Sequence, residues 1–178
     1  MIERGKKSLN SLISNEYREM QAKLHENPDY GVASIYFAPI VDDVIQSFGI
    51  TSLLDYGAGK CRLKDSIKSE VIYTPYEPSN PLWSQTPEPN EFVTCIDVLE
   101  HIEPELLDNV LDDLKRVVNK YGLFTIHTGP AVKILPDGRN AHLIQQPLEW
   151  WNKQLNTRFT ITKQVKIDNG CIVLVKKL

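Results

Sequence analysis

One stretch constrains this chain more than any other: Leu53-Leu54-Asp55-Tyr56-Gly57-Ala58-Gly59-Lys60-Cys61-Arg62-Leu63. Apolar residues run into an acidic position and then a glycine-rich bend. Leu63 and Ile67, four apart, then suggest a short helix. The order is strand, tight turn, helix. Glycine at 57 and 59 permits torsions closed to other residues and lets a ligand approach the main chain. A helix beginning after such a bend is expected to turn its free N–H groups, the positive end of its dipole, toward whatever lies over the bend.

Composition narrows the alternatives. The chain has 178 residues, 42% of them hydrophobic, enough for one sizeable core. A single domain over 1–178 is expected, with helices in 1–49 and an α/β core over 50–178. No apolar run approaches the ~18 residues that span a bilayer, and residues 1–10 lack the apolar centre of a secretory signal. Cys61, Cys95 and Cys171 are far apart and odd in number. Their spacing suggests neither zinc nor a disulfide framework, and no metal site is expected. Reduced thiols point to a cytoplasmic location. The net charge of −3 does not favour a sequence-independent grip on nucleic acid.

The elements can be placed by periodicity. Residues 8–25 carry Leu9, Leu12, Ile13, Tyr17, Met20 and Leu24 on one helical face, ended by Asn27-Pro28-Asp29-Tyr30-Gly31. A second helix runs from Tyr36 to Phe48 and closes at Gly49, with Pro39 acceptable in its first turn. Strands are expected at 52–56, 71–73 and 92–96, separated by a proline-rich loop from Pro75 to Pro89. Pro104 opens an amphipathic helix that reaches Gly122, and a strand follows over 123–130. Pro147 opens a last helix, with Leu148, Trp151 and Leu155 inward. The segment 159–167 alternates at period two, Asp168-Asn169-Gly170 signals a hairpin, and 171–175 returns as a strand.

The bend resembles motif I of the class I S-adenosylmethionine-dependent methyltransferases, with Cys61 where a third glycine usually stands. The run Asp97-Val98-Leu99-Glu100-His101-Ile102 is similar to the signature after the family's fourth strand, notably in the ubiquinone-biosynthesis O-methyltransferases. The terminal hairpin fits the same family, whose last strand is inserted antiparallel; dinucleotide-binding dehydrogenases stay parallel. The resemblance implies an α/β, doubly wound, three-layer Rossmann-like sheet, mostly parallel with an antiparallel C-terminal strand. It implies S-adenosyl-L-methionine as cofactor, held by Asp55, Tyr56, Gly57, Ala58, Gly59, Glu77, Asp97 and Val98, with the helices of 1–49 partly covering its site.

Glu77 follows the second strand, where a carboxylate can receive both hydroxyls of a ribose; the alternative is an exposed turn acid. Residues 79–89 replace the family's third strand and helix, and Trp83 either stacks on the adenine or pins the loop. His101 is the first choice for a catalytic base, then His142, then His127. Each has an ordinary alternative as an ordering or interior histidine. Tyr30, Glu100, Arg139 and Asn140 are expected on the substrate side, Arg139 through its bidentate fork. The acceptor is expected to be a small molecule taking the methyl on oxygen or nitrogen. Nucleic acid is not favoured, since the Asn/Asp-Pro-Pro-aromatic motif of the N6-adenine enzymes is missing. A non-catalytic S-adenosylmethionine-binding subunit stays open as an alternative, and oligomeric state is unreadable.

Overall fold

The computed structural model describes residues 11–178. The order of elements begins with α1 (Asn15–His25) and α2 (Ala33–Phe48), followed by β1 (Ser52–Tyr56), α3 (Arg62–Ser66) and β2 (Ile72–Tyr76). The chain continues through β3 (Asn90–Ile96), α4 (Leu107–Val117), β4 (Val118–His127), α5 (Leu148–Leu155), β5 (Phe159–Ile167) and β6 (Gly170–Lys177). The six strands form one sheet in the order β2-β1-β3-β4-β6-β5. The first four are mutually parallel, and β6 is antiparallel to both β4 and β5. The expected α/β doubly wound sheet with an inserted antiparallel strand is the observed one.

Side-chain alternation builds the three layers. On one face Leu53, Phe92, Leu123 and Ile172 pack with Ala38, Val41 and Ile45 of α2 and with Leu63. On the other, Leu54, Val93, Phe124 and Val173 pack with Val110, Leu111 and Leu114 of α4 and with Trp151 and Leu155 of α5. Central strands covered on both faces read as continuous apolar runs, which is why β1 and β3 carry no clean alternation in sequence. A third cluster joins Ile13 and Tyr17 to Leu135 and Ala141, so α1 packs on the long segment after β4.

Several boundaries differ from expectation. The first helix starts at Asn15, because the Ser14 side chain accepts from the Tyr17 N–H and caps it there; residues 8–10 of the expected span lie outside the described residues, as does the expectation for 1–10. In α2, Pro39 stands in the second turn rather than the first. It is exposed, so water can satisfy the carbonyl its missing N–H leaves unpaired. Gly49 ends the helix in the left-handed region as expected. Helix α4 stops at Val117, and residues 118–122 belong to β4 rather than to the helix. Here pairing overrides the apolar period, since Val118 lies beside Asn90 and Tyr121 beside Phe92. Two short 3-10 turns, Leu99–His101 and Pro104–Leu106, precede α4. Pro75 falls inside β2, an edge strand, where a residue without an N–H is tolerated. No helix among the described residues is long and apolar enough to cross a membrane.

Candidate functional site

The parallel strands β1, β2, β3 and β4 end on one edge of the sheet. Strand order reverses between β1 and β3, the place where open α/β sheets leave a crevice. A cleft of about 270 Å³ lies there. Its walls include Asp55 through Gly59, Glu77, Asp97, Val98 and His101, with Tyr17, Gln21, His25 and Tyr30 from the N-terminal segment.

The bend is held by β2. The N–H groups of Gly57 and Ala58 both donate to the Tyr76 carbonyl, at 2.8 and 2.9 Å. Gly57 has φ 83° and Gly59 φ 53°, torsions that favour glycine. Cys61, where a third glycine was expected, itself takes φ 57° and caps α3. The backbone thus keeps the glycine-like conformation without the glycine. Helix α3 is only five residues long, so the expected dipole contribution is that of little more than one turn.

Glu77 turns toward the bend. Its Oε2 accepts from the Gly59 N–H at 3.1 Å. Its Oε1 accepts from the N–H and hydroxyl of Ser79, at 3.0 and 2.6 Å. Three of about four acceptor positions are used, which leaves capacity for a ligand hydroxyl. Asp55 is buried behind the bend and accepts from the Tyr73 hydroxyl at 2.5 Å and from Thr94 at 3.0 Å. Burial pushes its carboxyl up to about 6 against the pull of those two hydroxyls. Tyr56 contributes to the wall, but its hydroxyl is committed to Asp113 at 2.9 Å.

After β3 the chain makes a strained turn. Asp97 has φ 50°, and its Oδ1 accepts from the Thr125 hydroxyl at 2.6 Å. Glu100 is fully buried. Its Oε1 accepts from the His127 N–H at 2.8 Å, whereas Oε2 has no hydrogen-bond partner. Burial and the neighbouring Asp97 charge hold this carboxyl well above the usual range. His101 places Nδ1 2.8 Å from the Ala141 carbonyl, and His142 places Nδ1 2.7 Å from the Gly129 carbonyl. Carbonyl oxygens only accept, so both Nδ1 atoms carry protons and both Nε2 atoms present lone pairs. Burial, then the adjacent His142, pushes His101 down to about 3; burial also lowers His142. The His142 ring stands 4.7 Å from that of His101 and 4.8 Å from that of His127.

The fold therefore brings His101, His142 and His127 together, with Glu100 beside them. Tyr30 joins at the rim, its ring 6.3 Å from that of His101. Arg139 and Asn140 are not brought to the cleft. Arg139 is exposed and paired with Asp137 at 2.7 Å. Asn140 is used within the loop, accepting from the Ala131 and His142 N–H groups and donating to the Ala131 carbonyl. Trp83 is partly exposed and lines a groove that adjoins the cleft at His25, Gly59 and Glu77.

Helices in 1–49 are expected over the site from sequence, but the polar residues that α1 turns into the cleft are not singled out by it. Tyr17 donates to the His101 carbonyl at 2.6 Å, Gln21 donates to Tyr17 at 2.6 Å, and Tyr30 donates to Gln21 at 3.2 Å. His25 packs beside Gly59, and its buried Nδ1 has no partner. The available signal was Tyr17, Gln21 and His25 at i, i+4 and i+8, a polar stripe on an otherwise apolar face.

No protein-family model matches the chain, and no curated protein is similar to it in sequence. Solved structures are similar in fold. Burkholderia thailandensis 1,6-didemethyltoxoflavin-N1-methyltransferase, with bound 1,6-didemethyltoxoflavin and S-adenosylhomocysteine, shares 13% identity at TM-score 0.63, over 94% of this chain and 92% of that one. The N-methyltransferase NodS from Bradyrhizobium japonicum, in complex with S-adenosylhomocysteine, shares 12% at TM-score 0.56, over 90% and 98%. The 16S rRNA methylase ArmA shares 16% at TM-score 0.55, over 90% and 91%. The sheet order, the inserted antiparallel strand and these likenesses establish the Rossmann-like fold that those methyltransferases share.

Proposed function

We propose that this chain is an S-adenosylmethionine-dependent methyltransferase acting on a small molecule. The observation that carries the reading is the Glu77 carboxylate, turned onto the Gly59 N–H where both line the cleft at the strand-order reversal. Both solved relatives described with S-adenosylhomocysteine share the fold. In this reading Glu77 receives the ribose hydroxyls, and Gly57, Ala58 and Gly59 admit the amino-acid half. Asp55 orients the amino group, directly or through water, and Asp97 and Val98 close the opposite wall. Trp83 is within the groove next to Glu77 and is assigned the adenine.

The donor, when bound, supplies an activated methyl on a sulfonium. What the protein adds is positioning of the acceptor and a path for its proton. The histidine cluster and Tyr30 form the acceptor end. His101, the first choice for a base from sequence, is held neutral by burial and is a weak proton acceptor on its own. His142 and His127 are its nearest alternatives. The net charge of −3 supports a small acceptor over nucleic acid, as does the likeness of residues 97–102 to the ubiquinone-biosynthesis signature. Free thiols at Cys61, Cys95 and Cys171 fit a cytoplasmic setting.

Calorimetric titration of the full chain with S-adenosylmethionine and S-adenosylhomocysteine tests the donor assignment. One-to-one binding is expected for both, and absence of both overturns it. A screen of hydroxyl, amine and RNA acceptors with labelled donor then tests the acceptor class. Labelling confined to RNA would replace the small-molecule reading.

A further inference from the structure

Glu100, His101 and His142 each offer a ligand atom within 4.8 Å of the others, the one such cluster of metal-ligating side chains among the described residues. Two of them come from the turn after β3 and one from the segment after β4. His142 lies 41 residues beyond His101, which is why no spacing rule exposes the cluster.

Three features separate this cluster from a chance meeting of polar groups. First, Glu100 is fully buried and its Oε2 has no partner, an arrangement that native proteins rarely leave uncompensated. Second, each histidine is locked by Nδ1 on a main-chain carbonyl, Ala141 for His101 and Gly129 for His142. That is how metal-bound histidines are commonly oriented, with the second nitrogen fixed by a hydrogen bond and the first left free. Third, His101 also forms part of the cleft wall, so the cluster has an approach from the candidate acceptor end.

We infer that Glu100, His101 and His142 form a binding site for a divalent transition-metal ion, with at least one coordination position open to the cleft. Two imidazole nitrogens and one carboxylate oxygen suit zinc-class or ferrous-class ions rather than magnesium or calcium, which prefer all-oxygen sets. Ligand atoms at 2.0–2.1 Å in a tetrahedral site stand about 3.3 Å apart, so the cluster contracts modestly on binding. Three protein ligands leave room for an oxygen or nitrogen of a small molecule. The site's existence does not depend on the methyltransferase reading; only its use on a methyl acceptor does.

The test uses the full chain, stripped with chelator and then titrated. Zn2+ is followed by calorimetry and Co2+ by its visible absorption. One saturable equivalent is expected, with cobalt bands characteristic of a nitrogen and oxygen ligand set. His142→Ala and Glu100→Gln should each weaken Zn2+ binding by about tenfold or more. Circular dichroism checks both folds; should Glu100→Gln fail to fold, His142→Ala carries the comparison alone. No saturable binding to the unaltered chain overturns the site, and so does undiminished binding in a folded variant. S-adenosylhomocysteine binding is measured on the same preparation. Its absence would overturn the donor assignment while leaving the metal site standing.

Discussion

Val98 fills the space that a β-carbon on Gly57 would need. The loop after β1 and the turn after β3 therefore meet at a glycine, and φ 83° at that position adds a second demand for it. Gly57→Ala is expected to destabilise the fold by roughly 2–4 kcal/mol, combining the left-handed torsion with overpacking. Gly57→Ala with Val98→Ala should recover the packing share but not the torsional one. Denaturant unfolding of both variants measures the split.

Glu77 ties the bend to the end of β2. Glu77→Ala removes three acceptor contacts and leaves the Gly59 N–H without its partner. S-adenosylhomocysteine affinity is expected to fall at least about tenfold, consistent with loss of a charge-assisted hydrogen-bond pair. Glu77→Gln should retain part of it. Unchanged affinity in a folded Glu77→Ala variant would remove this residue from the donor site.

Asp55 gives a pH signature. Its folded value of about 6 lies above the ordinary 3.8, so the folded state holds the proton more tightly than the unfolded chain. Its contribution to stability is therefore present at low pH and declines as pH rises from about 4 to about 6, by roughly 3 kcal/mol in all. Asp55→Asn should flatten that slope. Binding of a ligand bearing an ammonium group should run the other way, weakening below pH 6 as the carboxyl takes up its proton. Denaturation and calorimetry across pH 4–8 check both directions.

The wall formed by α1 depends on Tyr17. Its hydroxyl donates to the His101 carbonyl and accepts from Gln21. Tyr17→Phe is expected to cost about 1–2 kcal/mol, because two buried partners lose their contact. Limited proteolysis should then cut within 11–31 sooner than in the unaltered chain, while the sheet's melting behaviour changes little.

The sheet was readable because its signals are local. Asp168-Asn169 forms the turn between β5 and β6 with Asn169 at φ 55°, and the glycine bend follows β1 directly. Glu77 was readable through its distance from that bend. What sequence could not show is what the loop after β4 does. Arg139 has the chemistry of an anion site, yet Asp137, two residues away, pairs with it at the surface. Asn140 similarly spends its amide on Ala131 and His142. Conversely, Glu100 and His142 meet only because β3 and β4 are neighbours. The helix boundary at Val117 failed for a related reason: apolar period cannot tell a helix end from a strand start when both are buried.

The insertion of β6 between β4 and β5 sets the order of assembly during synthesis. Strand β5 has no other neighbour in the sheet, so it cannot dock until residues 170–177 have emerged from the ribosome. Until then the edge of β4 is an open template for pairing with another nascent chain. The half of the sheet bearing the glycine bend can condense earlier, which leaves the His127 side as the aggregation-sensitive stage of biogenesis.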